Sequence, residues 1–338
     1  MNYQEILESA RKNMNGNCKA CPVCNGEACR GVLPGPGGLG SGDAFVRSFK
    51  KLEEVKVHLD TFYKQEPIRS EIELFGRTFK APFFSAPVAT LSMQYGEKYT
   101  AFEYAVSVVK KCAEDGIAAF IYDDPAVLDE FAEEYRQGGL FIPTVKPWPV
   151  DVMKISFKRA EDMGAMAVAT DLDGAGLPMV QGGAVPVGPK SVEEVSELVE
   201  SVNIPVLIKG IMTPAGAKKA VQAGAYGIVV SNHGGRVQDQ TPAPIEMLPE
   251  IVEAVQGKIK IFVDGGVRTG IDVFKCLALG ADAALICRPY PIMYYGAHEE
   301  GISFYNAKVI KELHDTMKMT ASPKLSDIDR SKVLVPWQ

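Results

Sequence analysis

The chain has 338 residues, 46% of them hydrophobic, with 7 cysteines and a formal net charge of -6. That length suits one large α/β domain as well as two average ones, and the apolar content is ample for a core. No apolar run reaches membrane-spanning length, the acidic balance argues against a nucleic-acid partner, and the polar start over 1–11 carries no visible secretory signal, so the expected compartment is the cytoplasm.

Residues 1–80 do not read as part of a barrel. A short helix over 3–12 leads into a loop with Cys18, Cys21, Cys24 and Cys29, spaced C-x2-C-x2-C-x4-C. In a reducing compartment such cysteines are expected as thiols or metal ligands rather than disulfides. Tight turns bring thiolates at x2 spacing onto one centre, so these four are the candidate ligands of an iron–sulfur cluster or zinc. The run departs from the ferredoxin pattern, which has three residues before its last cysteine. The competing expectation is a loop of packed or free thiols. A Gly/Pro-rich stretch over 34–42 follows, expected to pack across the mouth or bottom of the fold. A helix over 43–63 and a small hairpin over 71–79, turning at Gly76, complete the extension.

From 81 onward short apolar runs alternate with amphipathic segments. Strands are expected over 83–87, 117–122, 140–145, 165–170, 205–209, 226–230, 259–263 and 283–286. Helices between them include 99–114, 125–137, 193–201, 214–223 and 271–279. Strand–helix alternation argues for a parallel sheet, and eight units favour closure into a (β/α)8 TIM barrel. The expected organisation is an extension over 1–80, a barrel over 81–320 and a tail over 321–338. A helix over 303–319 is expected to pack on the barrel.

The residues that carry chemistry fall at strand ends, where such barrels place it. The strand at 205–209 ends in Lys209-Gly210. The strand at 226–230 runs into Ser231-Asn232-His233-Gly234-Gly235-Arg236. A histidine moves protons near neutral pH, and an arginine three residues on offers a bidentate fork for a carboxylate or phosphate. Next come Asp264-Gly265-Gly266-Val267-Arg268-Thr269-Gly270 and then Cys287-Arg288-Pro289. Glycines at a strand-to-helix turn free backbone N–H groups for an anion, and two consecutive strands each supply an arginine.

This ordered set resembles the FMN-dependent α-hydroxy acid oxidase and dehydrogenase family, which includes glycolate oxidase and lactate oxidase. The similarity runs from about 71 to 319 and is dense after 205. It implies an FMN-dependent oxidoreductase that oxidises a 2-hydroxy acid or related alcohol to the oxo product. It further implies that Ala86, Pro87, Val88 and Ala89 run beneath the flavin and that Lys209 lies beside its N1 and O2 edge. His233 matches the base, Arg236 the carboxylate-binding arginine, and Asp171 the acid that orients the histidine, with Asp173 competing for that role. Ser231, Asp264, Gly265, Gly266, Arg268, Cys287 and Arg288 match the cofactor contacts. The resemblance also implies a homo-oligomer, commonly a tetramer, while an iron–sulfur cluster in the Cys loop would bring an electron-transfer partner.

The sequence departs from the family in the substrate shell. The Cys-rich loop stands where an N-terminal tyrosine is expected, and Thr144 replaces a second tyrosine. The loop Gly174–Gly183 lacks the family's second carboxylate-binding arginine, while Lys146 offers a replacement cation. Two further readings stay open at this point. One is a reduced-FMN isomerase resembling type 2 isopentenyl diphosphate isomerase; the other is a non-catalytic flavin- or cluster-binding sensor.

Overall fold

A computed structural model describes residues 1–125 and 139–337; the helix expected over 125–137 falls almost wholly outside them. Before the barrel come β1 (Lys56–Val57) and the hairpin strands β2 (Ile72–Leu74) and β3 (Arg77–Phe79). The barrel strands are β4 (Phe83–Ser85), β5 (Ala119–Tyr122), β6 (Phe141–Val145) and β7 (Val168–Asp171). They continue with β8 (Val206–Ile211), β9 (Gly227–Val230), β10 (Lys260–Val263) and β11 (Ala283–Ile286). All eight pair in parallel and in sequence, and β11 closes on β4 with Leu285 opposite Phe84. A final strand, β12 (Val333–Leu334), pairs antiparallel with β1.

The eight expected strands are therefore all present, most of them trimmed by one to three residues. Their character follows from burial on both faces. β9 and β11 are buried at every position, as strands of a sheet wrapped by helices must be. The helices outside are started by local chemistry. Thr100, Ser191 and Thr269 each cap a helix and receive a reciprocal carboxylate three residues on.

The hairpin seals the lower end of the barrel. Its turn residue Phe75 stacks on Tyr226 at 4.9 Å and on Phe262 at 5.9 Å, and its N–H donates to Tyr226 Oη at 3.0 Å. Phe262 in turn meets Phe84 and Phe120. Chemistry is left to the upper, C-terminal end.

Two expected boundaries change. The helix begun at Asp43 stops at Glu54 rather than 63, because Val55 turns extended and Lys56–Val57 is claimed by the tail. The last helix spans Pro289–Met319, with a break at Ala297 and His298, instead of starting at 303. Its first half is apolar on nearly every side, Tyr290, Tyr294 and Tyr295 being fully buried, so it has no amphipathic period to read.

That helix packs closely on the helix Gly270–Ala278. A Cβ at Gly270 would stand 2.2 Å from the backbone nitrogen of Leu313 and 2.3 Å from the carbonyl oxygen of Val309. Gly270→Ala should therefore cost about 1–3 kcal/mol through overpacking against backbone, seen as a lower melting temperature. Gly182→Ala, where an added Cβ meets nothing within 4 Å, should leave melting unchanged.

Candidate active site

Strand ends converge on one cavity at the upper mouth, about 1100 Å³ of non-atom space including part open to solvent. β4 contributes the segment Ala86–Ala89, β6 contributes Thr144 and Lys146, and β7 contributes Asp171. Lys209 enters from β8, His233 and Arg236 from the loop after β9. Asp264, Gly265, Gly266 and Arg268 follow β10, and Cys287 and Arg288 follow β11. Ser231 lies behind the wall, where its Oγ accepts the backbone N–H of His233 at 3.1 Å. That bond helps hold His233 at a φ of 57°, a left-handed conformation uncommon for a non-glycine residue.

The centre of the site is a buried set of charges. His233 Nδ1 lies 3.1 Å from Asp173 Oδ1 and 3.4 Å from Lys209 Nζ. Asp171 Oδ2 stands 3.8 Å from His233 Nε2 and 2.5 Å from Lys146 Nζ. The closer partner of the histidine is thus Asp173, while Asp171, the residue first matched to that role, is engaged by Lys146. Gly210 makes this arrangement fit. β8 shifts register between Lys209 and Ile211, and a Cβ on Gly210 would sit 2.5 Å from the Asp173 carboxyl carbon.

Burial and neighbours fix the protonation states. Burial, aided by the Lys209 cation, pushes the imidazole of His233 below its usual range, although Asp173 and Asp171 pull the other way. Burial opposes the charge on Lys209, but Asp173, Asp264 and Asp171 outweigh it and hold the ammonium above its usual range. Burial likewise opposes the charge on Asp173, yet Lys209 and His233 keep it well below the ordinary carboxylate value. These shifts favour a neutral imidazole beside the charged Lys209 and Asp173. Among the described residues, Asp171, Asp173 and His233 are also the one group of three whose ligand atoms all lie within 4.8 Å of one another. Lys146 and Lys209 already occupy the electrostatic place of a cation there.

The other end of the cavity has the chemistry of an anion cradle. Gly265 and Gly266 adopt φ of 84° and 91°, and a Cβ on Gly266 would meet the Ser48 carbonyl oxygen at 2.4 Å. Arg268 donates Nε to Cys24 O at 3.0 Å and Nη1 to Val267 O at 2.7 Å, which leaves Nη2 without a partner among the described residues. Arg288 is tied to Pro36 O and Gly234 O and lies 3.6 Å above the Phe45 ring. The Gly/Pro stretch at 34–42 thus packs over the mouth, where Leu39 N also donates to Gly235 O at 2.7 Å. Buried Asp264 Oδ1 also lacks a partner among the described residues. Unpaired arginine and carboxylate groups lining this cavity fit a bound molecule that carries a phosphate and several hydroxyls.

Several lining residues were not visible from motifs. Tyr95, Tyr122, Leu177, Met179 and Val180 form an apolar side of the cavity beside Arg236. Arg236 Nη2 reaches Met179 Sδ at 3.9 Å, and its Nε has no partner among the described residues. A usable signal was the apolar cluster Leu177–Val180 inside the loop whose missing arginine had already stood out.

A (β/α)8 barrel with this upper-mouth constellation belongs with the flavin-binding barrels. The match to known proteins is specific: residues 184–335 fit the FMN-dependent dehydrogenase family model. The 4-hydroxymandelate oxidase of Amycolatopsis orientalis is 31% identical over 327 residues, covering 86% of this chain and 91% of that one. Glycolate oxidase 1 of Zea mays is 30% identical over 296 residues, covering 77% and 79%. A peroxisomal (S)-2-hydroxyacid oxidase of Arabidopsis thaliana reaches 47% identity over 130 residues, where this chain spans about a third, 36%, of that relative's length. A crystal structure of mandelate oxidase with 3,3-difluoro-2-hydroxy-3-phenylpropionic acid superposes with a TM-score of 0.80 at 30% identity, covering 98% of this chain and 97% of that one. A mandelate oxidase variant with an FMN adduct superposes at 0.74 and 30% identity, covering 88% and 93%. The chain belongs to the FMN-dependent 2-hydroxy acid oxidase and dehydrogenase family, and its cofactor is FMN.

The two aspartates can be told apart by the imidazole itself. In an NMR titration, Asp173→Asn should lower the pKa of His233 more than Asp171→Asn does, since the nearer carboxylate contributes more of the upward pull. A larger drop from Asp171→Asn would reverse their order.

Proposed function

We propose that this protein oxidises a 2-hydroxy acid, or a closely related alcohol bearing one anionic group, to its oxo product. The observation that carries the reading is the buried His233 facing the same cavity as Arg236, whose Nε has no partner among the described residues. When bound, FMN supplies the two-electron acceptor. The residues that would hold it are Ala86, Pro87, Val88, Ala89, Lys209, Ser231, Asp264, Gly265, Gly266, Arg268, Cys287 and Arg288.

In this reading Arg236 binds the substrate carboxylate through its open Nε–H and terminal nitrogens. His233 accepts the hydroxyl proton at Nε2, because Asp173 occupies the Nδ1 side. The imidazolium so formed lies between Asp173 and Asp171, which stabilise it without taking the proton. Lys146 is neutralised by Asp171 and adds little net charge to the pocket. With one effective cation and the wall of Tyr122, Leu177, Met179 and Val180, the site favours a monoanionic acid with an apolar side chain.

The isomerase and sensor readings draw no support from the relatives, whose names are those of 2-hydroxy acid oxidases. We read the compartment as the cytoplasm, in keeping with seven unpaired cysteines. A homo-oligomer and a small-molecule or protein electron acceptor complete the proposal. No described helix is long and apolar enough to cross a membrane. We also propose that Cys18, Cys21, Cys24 and Cys29 hold a thiolate-coordinated metal centre, the iron–sulfur cluster or zinc that their spacing suggests.

Two measurements test the catalytic assignment. Purified protein should show flavin absorbance that bleaches without oxygen when an apolar 2-hydroxy acid is added. His233→Ala should keep its flavin and bleach about 10²–10⁴-fold more slowly; an unchanged rate would remove His233 as the base. Arg236→Met should weaken substrate binding with flavin retained. Equal binding of the acid and its uncharged amide by the unaltered protein would contradict the carboxylate assignment.

A further inference from the structure

The four cysteines of the N-terminal loop face one another in the folded chain. Cys18, Cys21, Cys24 and Cys29 line a single cavity of about 340 Å³ of non-atom space, some of it open. Phe45, Tyr95 and Ile292 supply apolar walls, and Arg288 closes the side toward the flavin site. Sequence spacing alone does not guarantee this convergence. Gly26 bends the loop at a φ of 90°, where a Cβ would press to 2.9 Å on Phe45. The N–H of Cys18 is pinned to Gln94 O at 2.9 Å.

Such a cavity is an unfavourable place for thiolates without a counter-charge. One cation, Arg288, stands at its edge. Four thiolates here need a multivalent cationic centre.

The spacing of the sulfurs bears on its size. A tetrahedral zinc with Zn–S near 2.3 Å draws its thiolates to about 3.8 Å from one another. Among the described residues, the group with three ligand atoms all within 4.8 Å of one another is the aspartate–histidine set of the active site, not the cysteines. No three of the cysteine sulfurs lie within that reach of one another, which a multi-iron core tolerates better than a single zinc does. Three cysteines at x2 spacing match the first three of a ferredoxin run, and Cys29, on the same cavity, is placed to be the fourth ligand, whereas structural zinc sites usually split their ligands into two distant pairs.

We propose that Cys18, Cys21, Cys24 and Cys29 bind a four-iron, four-sulfide cluster set against the phosphate end of the flavin site; this rests on the reading of the loop as a metal centre. The cluster also fixes the flavin site mechanically. Arg288 and Tyr95 line both cavities, and the backbone carbonyl of Cys24 holds the guanidinium of Arg268. Loss of the cluster therefore frees the loop and both arginines, so FMN should bind several-fold more weakly.

The test uses the full chain, purified without oxygen and then reconstituted with ferrous iron and sulfide. Assay of metal and acid-labile sulfide should find about four irons and four sulfides per chain. Dithionite should bleach the cluster absorbance and produce a paramagnetic signal distinct from flavin. Cys21→Ser combined with Cys24→Ser should lose both iron and sulfide and weaken FMN binding, while Cys276→Ala, altered in the core, should keep all three. Stoichiometric zinc, or iron without labile sulfide, would overturn the cluster yet leave the thiolate-metal reading standing. Failure of the unaltered chain to take up any metal would overturn both. A folded double variant that still held full iron and sulfide would overturn the ligand assignment; should the variant not fold, the stoichiometry of the unaltered chain decides.

Discussion

Two lysines, three aspartates and one histidine share the largely buried centre of this barrel mouth, and their mutual compensation is the constraint on which the site depends. Isolated burial of any one charge would be costly, and the usual escape is neutralisation by a pKa shift. Here Lys209 is balanced by Asp173 and Asp264, and Lys146 by Asp171. The imidazole is the group in the set whose ordinary pKa lies nearest neutral pH. The barrel makes this possible by delivering Lys146, Asp171, Lys209 and His233 from four consecutive strand ends, so rigid backbone carries the electrostatic strain.

The same geometry separates two tasks within one cavity. At one end, glycine-lined backbone with Arg268 and Arg288 suits a phosphate. At the other, Arg236 and an apolar wall suit a small organic acid. The N-terminal loop is built into the first of these ends rather than hung beside it. Pro36 and Cys24 hold the arginines through backbone carbonyls, and Phe45 lies under Arg288. Changes in that loop should therefore be felt at the cofactor before they are felt at the base.

The barrel was legible in the sequence because each strand is a short apolar run bounded by turn chemistry, a pattern that needs no knowledge of partners. The motif residues were legible for a related reason, since each adjoins such a run. What escaped was set by distant contacts. The helix from Asp43 ends early because β1 pairs with a tail strand near the other end of the chain. Which of Asp171 and Asp173 serves the histidine is decided by a tight turn over 172–176 and the bulge at Gly210, neither of which the apolar pattern encodes. Tyr95 and Met179 reach the cavity from loops and short helices, so no strand-end rule finds them.

The most direct test of the central claim is the pH dependence of the anaerobic flavin-reduction rate with a saturating 2-hydroxy acid. A neutral imidazole acting as base predicts a rate that climbs with pH and levels off, with an apparent pKa below the ordinary histidine value of 6.5, because burial and Lys209 disfavour the imidazolium. The sign is fixed: protonation at low pH removes the base. A rate that is flat across this range, or that falls as the histidine loses its proton, would contradict the account.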